Sequence, residues 1–305
     1  MRPSLHQLEI FVAIAREGSV RAAADRLARS QSAASMALAE LETRLERQLF
    51  DRTAKRLTLN ADGRSLLPRA IALLDHANEV QQLFGDEFAM PLRLAASLTV
   101  GNHLLPPIIA RWHAEHPAAQ VQLRIGNTRD VADAMLHFDA DIGFVEGSVQ
   151  REELQLRTWM RDHMVICARP DHPLARKRAS AAALADAVWI VREPGSGTRE
   201  TVDQGLLRHL GWPAPAMVLG SSEAVRLAVA AGAGISCLSR LSIADALAAG
   251  TLVELRCAIH PPARDFSFLV HRERRLPPVA QHFLAFCQSH KPASGSQAAA
   301  RRRKL

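Results

Sequence analysis

Gly18-Ser-Val-Arg-Ala-Ala-Ala-Asp-Arg-Leu-Ala-Arg-Ser-Gln-Ser-Ala-Ala-Ser-Met-Ala-Leu-Ala-Glu-Leu-Glu42 reads as two amphipathic helices joined by a tight turn. Before it, Leu5, Leu8, Ile10, Phe11, Val12, Ile14 and Ala15 give a helix over about residues 5–16 a broad apolar face. Gly18 stops that helix, and Ser19 and Ser30 are placed to cap the next two. Ala22, Ala23 and Leu27 face inward on the second helix, leaving Arg21 and Arg26 free to reach phosphates. On the third, Ala34, Leu38, Leu41 and Leu45 are the inner positions. Gln31, Ser32, Ser35 and Met36 then form its exposed leading edge. That is the layout of a helix-turn-helix, whose second element lies in the major groove with its first turns against base edges. Glutamine can bond adenine bidentately, serine can bond base or phosphate, and an apolar side chain can touch a thymine methyl.

Two short alternating runs follow, Leu49-Phe50-Asp51-Arg52 and Leu57-Thr58-Leu59, separated by a basic turn. They predict a two-stranded wing carrying Arg52, Lys55 and Arg56 as backbone or minor-groove cations. Residues 3–63 resemble the winged helix-turn-helix of the LysR-type transcriptional regulators. The resemblance runs through Leu8-Glu9-Ile10-Phe11, Gly18-Ser19-Val20, Ala22-Ala23-Ala24, Ser30-Gln31-Ser32-Ala33, Leu41-Glu42, Leu49-Phe50-Asp51-Arg52 and Leu57-Thr58-Leu59-Asn60-Ala61-Asp62-Gly63. Ala34 stands where the family often has Val, and Ser32 where it often has Pro. The second departure bears on which base is read. The candidate DNA contacts are Ser19, Arg21, Ser30, Gln31, Ser32, Ser35, Met36, Arg52, Lys55 and Arg56.

At 305 residues and 33.4 kDa the chain suits two or three domains. Apolar residues make up 48%, but tyrosine is absent and aromatics reach only 5%, so the cores rest on Leu, Val, Ile and Ala. The net charge of +7 fits a polyanionic partner, yet much of it lies in the tail Arg301-Arg302-Arg303-Lys304 and would not alone identify a DNA binder. No apolar run reaches the ~18 residues of a membrane span, and the start of the chain lacks a signal-peptide core. Cys167, Cys237, Cys257 and Cys287 are scattered, which predicts reduced, mostly buried thiols in a cytoplasmic protein.

From Ala61 to about Phe88, Leu66, Ala70, Leu73, Ala77, Val80 and Phe84 recur at alternating spacings of four and three. This is a short coiled-coil seam on a linker helix, with Pro68 tolerated in its first turns and a hinge over residues 85–91. Such a seam would pair two DNA readers at a fixed spacing. The expectation is a homodimer that assembles further into a homotetramer.

After Pro91 strands alternate with helices, the sign of a parallel sheet flanked by helices. Strands are expected at 92–97, 121–125, 141–145, 164–168, 188–191, 217–219, 235–238 and 266–271, with helices at 104–116, 131–138 and 279–288. The pattern divides into lobe I, about 91–163 and 265–291, and lobe II, about 164–264, crossed twice by the chain around a hinged cleft. Ligand-facing residues should come from the carboxyl ends of strands and the starts of helices. Ser97, Thr99 and Asn102, then Asn127 and Thr128, then Glu146, then Gly195, Ser196, Gly197 and Thr198 occupy such places. The turn Glu193-Pro-Gly-Ser-Gly-Thr-Arg199 suits an anion through free N–H groups and the helix dipole, and reads as well as a glycine-rich turn with its cap.

Residues 91–290 resemble the effector-binding domain of the same family, which has the periplasmic-binding-protein architecture. Gly101-Asn102, Leu105-Pro106, Gly126-Asn127-Thr128, Asp141-Ile-Gly-Phe-Val-Glu-Gly147 and the 193–199 turn resemble the subgroup regulating sulfur assimilation and carbon fixation. The resemblance implies that Ser97, Thr99, Thr128 and Ser196–Thr198 hold a small anion. A sulfite- or sulfate-like oxyanion comes first, a phosphorylated metabolite or small carboxylate second.

The expected whole is an α/β protein of four parts. A winged helix-turn-helix (1–60) is joined by a linker helix and hinge (61–90) to a two-lobed periplasmic-binding-protein-like effector domain (91–291), and a basic tail without structure follows (292–305). Its partners would be double-stranded promoter DNA and a small anion, with no membrane. An enzyme or a solute-binding protein on the same two-lobed fold is the alternative. Gly195-Ser196-Gly197 lacks the spacing of a nucleophile elbow, and no Gly-Lys-Ser/Thr follows it. The histidines show no metal-ligand pattern, and no cofactor or metal is expected.

Overall fold

A computed structural model describes residues 2–53, 56–82, 90–211 and 214–290. The chain divides into two compact units, one of residues 1–90 with 272–279, the other of 91–271 with 280–305. The first unit opens with α1 (Leu5–Glu17), α2 (Val20–Arg26) and α3 (Gln31–Leu45). Each has a serine cap whose hydroxyl accepts a backbone N–H of the first turn: Ser4 from Gln7, Ser19 from Ala22, Ser30 from Ala33. Gly18 ends α1 in the left-handed conformation at φ +65°, which an L side chain adopts only with strain.

β1 (Phe50–Thr53) and β2 (Arg56–Leu59) pair antiparallel, Phe50 opposite Leu59, as the wing. α4 (Ala61–Gln82) follows, capped by Asn60, whose Oδ1 accepts from the Gly63 N–H. Phe11, Ile14, Leu41, Phe50 and Ile71 are buried together with the wall of α4 formed by Leu67 and Ala70.

The linker seam divides in two. Ala70 is buried in the unit's own core, whereas Leu73 and Val80 are 52% and 60% exposed. Pro68 lies inside the helix, deeper than its first turn. Phe84 and the hinge at 85–91 lie, all but its last two residues, outside the described residues, as do Lys55 and the tail after 290. The segment 272–279 was expected in lobe I. It belongs instead to the first unit, where Arg274 donates to Asp75 of α4 at 3.1 Å.

The second unit begins with β3 (Leu92–Ser97), α5 (Leu98–His103), α6 (Leu105–Glu115), β4 (Val121–Gly126), α7 (Thr128–Leu136) and β5 (Ile142–Glu146). A long strand, β6 (Leu154–Ala168), leads to α8 (Ala181–Ala185), β7 (Ile190–Arg192) and α9 (Gly197–Gly205). Then come β8 (Met217–Leu219), α10 (Ser222–Ala230), β9 (Ser236–Ser239), α11 (Ala244–Ala248), β10 (Val253–Glu254), β11 (Ala263–His271) and α12 (Pro278–Ser289).

β3, β4 and β5 pair parallel, as expected, but the main sheet is mixed. Its order is β10-β6-β11-β5-β3-β4 with β9 also on β6, and β11 runs antiparallel to both β5 and β6. The reason lies in the double crossing. The chain leaves lobe I along β6 and returns along β11, so two neighbouring strands must point opposite ways. The first half of β6 was missed because Leu154–Arg161 interleaves apolar and charged side chains without a turn signal.

Separate cores fill the lobes. Val131, Met135, Val145 and Leu269 anchor one, and Ile166, Trp189, Val191, Leu206 and Ile235 another. Trp112, Trp159 and Trp189 are all buried in this second unit. Among the described residues no helix is long and apolar enough to cross a membrane.

Candidate functional site

The first candidate surface is the exposed side of α3. Gln31, Ser32, Ser35 and Met36 are all exposed on one stripe, Met36 to 62%, while Ala34, Ala37, Leu38 and Leu41 are buried on the opposite face. Met36 lies in the second turn of α3, so it shares the exposed stripe with the polar side chains before it. Ser30 keeps its capping bond, and its Oγ lies 3.1 Å from that of Ser32. Ser19 is half-buried and committed to its cap, and Arg21 is exposed with no ion pair among the described residues. Arg26, expected to be free for phosphates, instead pairs with Glu17 at 2.8 Å. Arg52 and Arg56 stand in the wing opposite Leu57 and Thr53.

The second candidate lies in the C-terminal unit, where the ends of β3, β5 and β11 meet the start of α9. At its centre is the Glu146 carboxylate, buried to 1% exposure. Ser97 donates its hydroxyl to Glu146 Oε2 at 2.9 Å, and Thr198 donates to Oε1 at 3.0 Å. Arg264 Nη1 donates to Thr198 Oγ1 at 2.8 Å and lies 3.6 Å from Glu146 Oε1. Its Nε donates to Asp162 Oδ2 at 2.6 Å, and Ser239 donates to Asp162 Oδ1 at 2.7 Å. Nη2 of Arg264 reaches Thr99 Oγ1 at 3.5 Å. Burial alone would push the Arg264 pKa down, but Glu146 and Asp162 together hold it above the ordinary arginine value.

Backbone geometry draws the lobes together here. Thr128 donates its hydroxyl to the Glu146 carbonyl at 3.1 Å. A Cβ on Gly197 would meet that same carbonyl oxygen at 1.9 Å, so only glycine lets the first turn of α9 approach β5 this closely. Ser196 is buried and caps α9 by accepting from the Arg199 N–H at 3.4 Å, while Gly195 turns the chain at φ +96°.

The candidates divide accordingly. Ser97, Thr99, Thr128, Glu146, Ser196, Gly197 and Thr198 are buried in one neighbourhood. Asn127 is half-buried, caps α7, and donates to Glu193 at 3.4 Å. Asn102 is exposed on α5 and makes no side-chain hydrogen bond among the described residues. Arg264, Asp162 and Ser239 were missed. Arg264 and Asp162 sit 102 residues apart and meet only as opposite partners in the β11–β6 ladder. The available signal was a charge inside each of two runs that otherwise read as buried strand, Asp162 before Met164–Ala168 and Arg264 before Phe266–His271. Arg192, also missed, is buried with its guanidinium on Glu193 and on Ser222 Oγ at 2.7 Å.

Beside this cluster an open cavity of about 570 Å³ is lined by Thr128, Arg129, Ser148, Arg151, Ser196 and Arg199 among others. Arg199 is paired with Asp203 at 2.7 Å, whereas Arg129 and Arg151 form no ion pair among the described residues. The thiols match the expectation of mostly buried, unpaired cysteines. Cys167, Cys237 and Cys287 are buried and Cys257 half-buried, all free, and burial pushes the Cys167 and Cys287 thiols up to about 12.

Two family models match the chain. One, described as a bacterial regulatory helix-turn-helix protein of the lysR family, covers residues 5–64, and the other, the LysR substrate binding domain, covers residues 85–292. The HTH-type transcriptional regulator YeiE of Escherichia coli (strain K12) is 46% identical over 287 residues, 94% of this chain and 98% of that one. Among solved structures, a full-length OxyR variant from Pseudomonas aeruginosa superposes with a TM-score of 0.74 at 21% identity, over 95% of this chain and 94% of that one, which speaks for the fold. The regulatory domain of CcmR from Synechocystis PCC6803, solved in complex with 2-PG, matches at 28% identity and a TM-score of 0.62, covering 67% of this chain and 99% of that one. With both models matched in order and together spanning most of its length, this chain belongs to the LysR family of transcriptional regulators and carries an effector-binding domain behind its helix-turn-helix.

Proposed function

We propose that this regulator binds promoter DNA in the cytoplasm as a homodimer, pairing further into a tetramer, and that a small anion in the cleft of its C-terminal unit modulates that binding. The observation that carries the effector half is the buried cluster around the start of α9. Two hydroxyls, Ser97 and Thr198, and the Arg264 guanidinium converge there on a single carboxylate. Donors so arranged, at a helix N-terminus and out of water, suit an oxyanion of the sulfite or sulfate kind, or a small phosphorylated or carboxylated metabolite. On the adjoining cavity Arg129 and Arg151, which form no ion pair among the described residues, outnumber the one unpaired carboxylate, Glu200, and favour the same sign of charge by a single unit. The likeness to a regulatory domain solved with 2-PG supports a small anionic ligand.

The DNA half rests on the bare stripe of α3. Gln31→Ala is expected to relax base preference at a cost of about 1–3 kcal/mol if Gln31 makes a bidentate base contact. Arg52→Ala should weaken binding to all sequences alike and flatten its salt dependence. Gel shift of the chain's own upstream region at several salt concentrations separates the two. Equal loss of affinity for matched and scrambled fragments in Gln31→Ala would remove Gln31 from base readout. Dimer pairing is assigned to the α4 residues Leu73 and Val80, which the described residues of the first unit leave exposed.

Ligand binding would change the arrangement of the two lobes and, through it, the spacing or bend imposed on the DNA by the paired readers. Thr99→Ala is expected to leave promoter binding intact and to blunt the response to the effector. Loss of promoter binding in that variant would show that the two roles are not separate.

A further inference from the structure

Away from the cleft, three stretches of lobe II come together around one core. Residues 172–185 and 255–262 lie side by side. The Ala179 N–H donates to the Arg256 carbonyl at 2.7 Å, the Ala258 N–H to the Ala179 carbonyl at 2.8 Å, and Arg178 Nε to the Cys257 carbonyl at 3.2 Å. Residues 206–211 join them, because Leu206, Leu207 and Leu210 are buried with Ala179, Leu184 and Leu255. The outer surface of these stretches carries Arg176, Lys177, Arg178, Arg208 and Arg256, all exposed and none in an ion pair among the described residues. Not one Asp or Glu falls within them. Of the carboxylates that flank them in the chain, Asp171 is held by Arg169, Asp203 by Arg199 and Glu254 by Arg240, and Asp265 stands opposite Arg161 in the β11–β6 ladder. That leaves Asp186 against the cations.

Cations crowded in this way raise the local potential and attract a polyanion. Which polyanion follows from the other side chains present. No aromatic residue lies in the three stretches, and no large apolar side chain there is exposed. A folded protein partner is held by apolar and aromatic anchors at the centre of its interface. A single strand of nucleic acid is held by rings on which its bases stack. Duplex phosphates need neither, since point charges suffice to hold them. A chain already fixed to DNA through its helix-turn-helix also meets the neighbouring duplex at high effective concentration.

We propose that this cationic face of lobe II is a second, sequence-independent contact with duplex DNA, gripping the phosphate backbone outside the site that α3 reads. The reader then sets the register, and the face of lobe II adds affinity that falls steeply with salt. Charge is all the contact asks of these side chains, so arginine and lysine serve it equally. The effector cleft has no part in it, and failure of the anionic-effector reading leaves it untouched.

Gel shift of the full chain over a salt series tests this, on two promoter fragments. One is trimmed to the shortest length that keeps sequence-specific binding, and the other is extended at both ends. The variant combines Arg176→Ala, Lys177→Ala and Arg256→Ala and spares Arg178, whose Nε bonds the Cys257 carbonyl. On the extended fragment it should lose about 10-fold or more in affinity at low salt, and its log–log salt slope should become shallower by about 2–3. On the trimmed fragment it should match the wild type, which also shows that it is folded and that its reader is intact. Arg176→Lys with Arg256→Lys should keep the wild-type slope, and a shallower one overturns a contact made by charge alone. Unchanged affinity and slope of the alanine variant on the extended fragment overturn the proposal. Equal losses on both fragments overturn it too, since the effect then lies in the reader or in assembly. Polyglutamate captured by the wild type and not by the alanine variant, with DNA binding the same in both, assigns the face to an acidic protein instead.

Discussion

Arg264→Met is expected to cost the C-terminal unit about 3–5 kcal/mol, the effect of removing one partner from a buried ionic cluster. The arginine is the only cation that touches either Asp162 or Glu146 among the described residues, at 2.6 and 3.6 Å, and both carboxylates are buried. Methionine fills much of the volume but leaves two charges facing each other with only the hydroxyls of Ser97, Thr198 and Ser239 to satisfy them. For a unit of this size each kcal/mol lowers the melting temperature by about 2–4 °C, so the loss should be about 6–20 °C by scanning calorimetry. Arg264→Lys should recover only part of it, since an ammonium cannot span Asp162, Thr198 and Thr99 as the planar fork does. A Met variant within about 2 °C of wild type, well below that range, would mean that the cluster does not hold the lobes.

Phe11→Ala is the counterpart in the DNA-binding unit. Phe11 is fully buried in α1 and meets the Phe50 ring of the wing at 5.6 Å between centroids. Truncating a buried phenylalanine costs about 3–5 kcal/mol, a large part of the roughly 5–15 kcal/mol that holds a domain folded. Because the same side chain ties the first helix to β1, the wing is released with the core. Promoter binding by gel shift should vanish at growth temperature, and far-ultraviolet circular dichroism should show early loss of helix. Wild-type affinity in this variant would show that the reader is assembled by something other than this core.

These two sites differ in how far the sequence announces them. The reader is built from neighbours. Ser19 caps the helix that begins one residue later, Gly18 ends the one before it, and the bare stripe of α3 follows from helical spacing alone. Half of the cleft is local in the same sense, since Ser97, Thr128, Glu146 and Thr198 lie at strand ends or helix starts that alternation reveals. The other half is set by register. Arg264 faces Asp162 because β11 returns beside β6, and nothing within either strand says which residues will oppose each other. The parallel sheet inferred from alternation failed at the same place, where strands β6 and β11 cross between the lobes. The linker helix misled differently. A four-three spacing does not say which partner an apolar position meets, and Ala70 meets its own domain while Leu73 stays open.

The distribution of indoles has a practical corollary. All four tryptophans fall between residues 112 and 212, and the chain has no tyrosine. Long-wavelength ultraviolet excitation therefore lights up only the effector-binding unit, and the helix-turn-helix with its wing is optically dark. Emission from the intact chain can follow ligand capture or melting of one unit without cutting it from the other, which matters because residues 272–279 pack with α4 and a break at residue 90 would strand them.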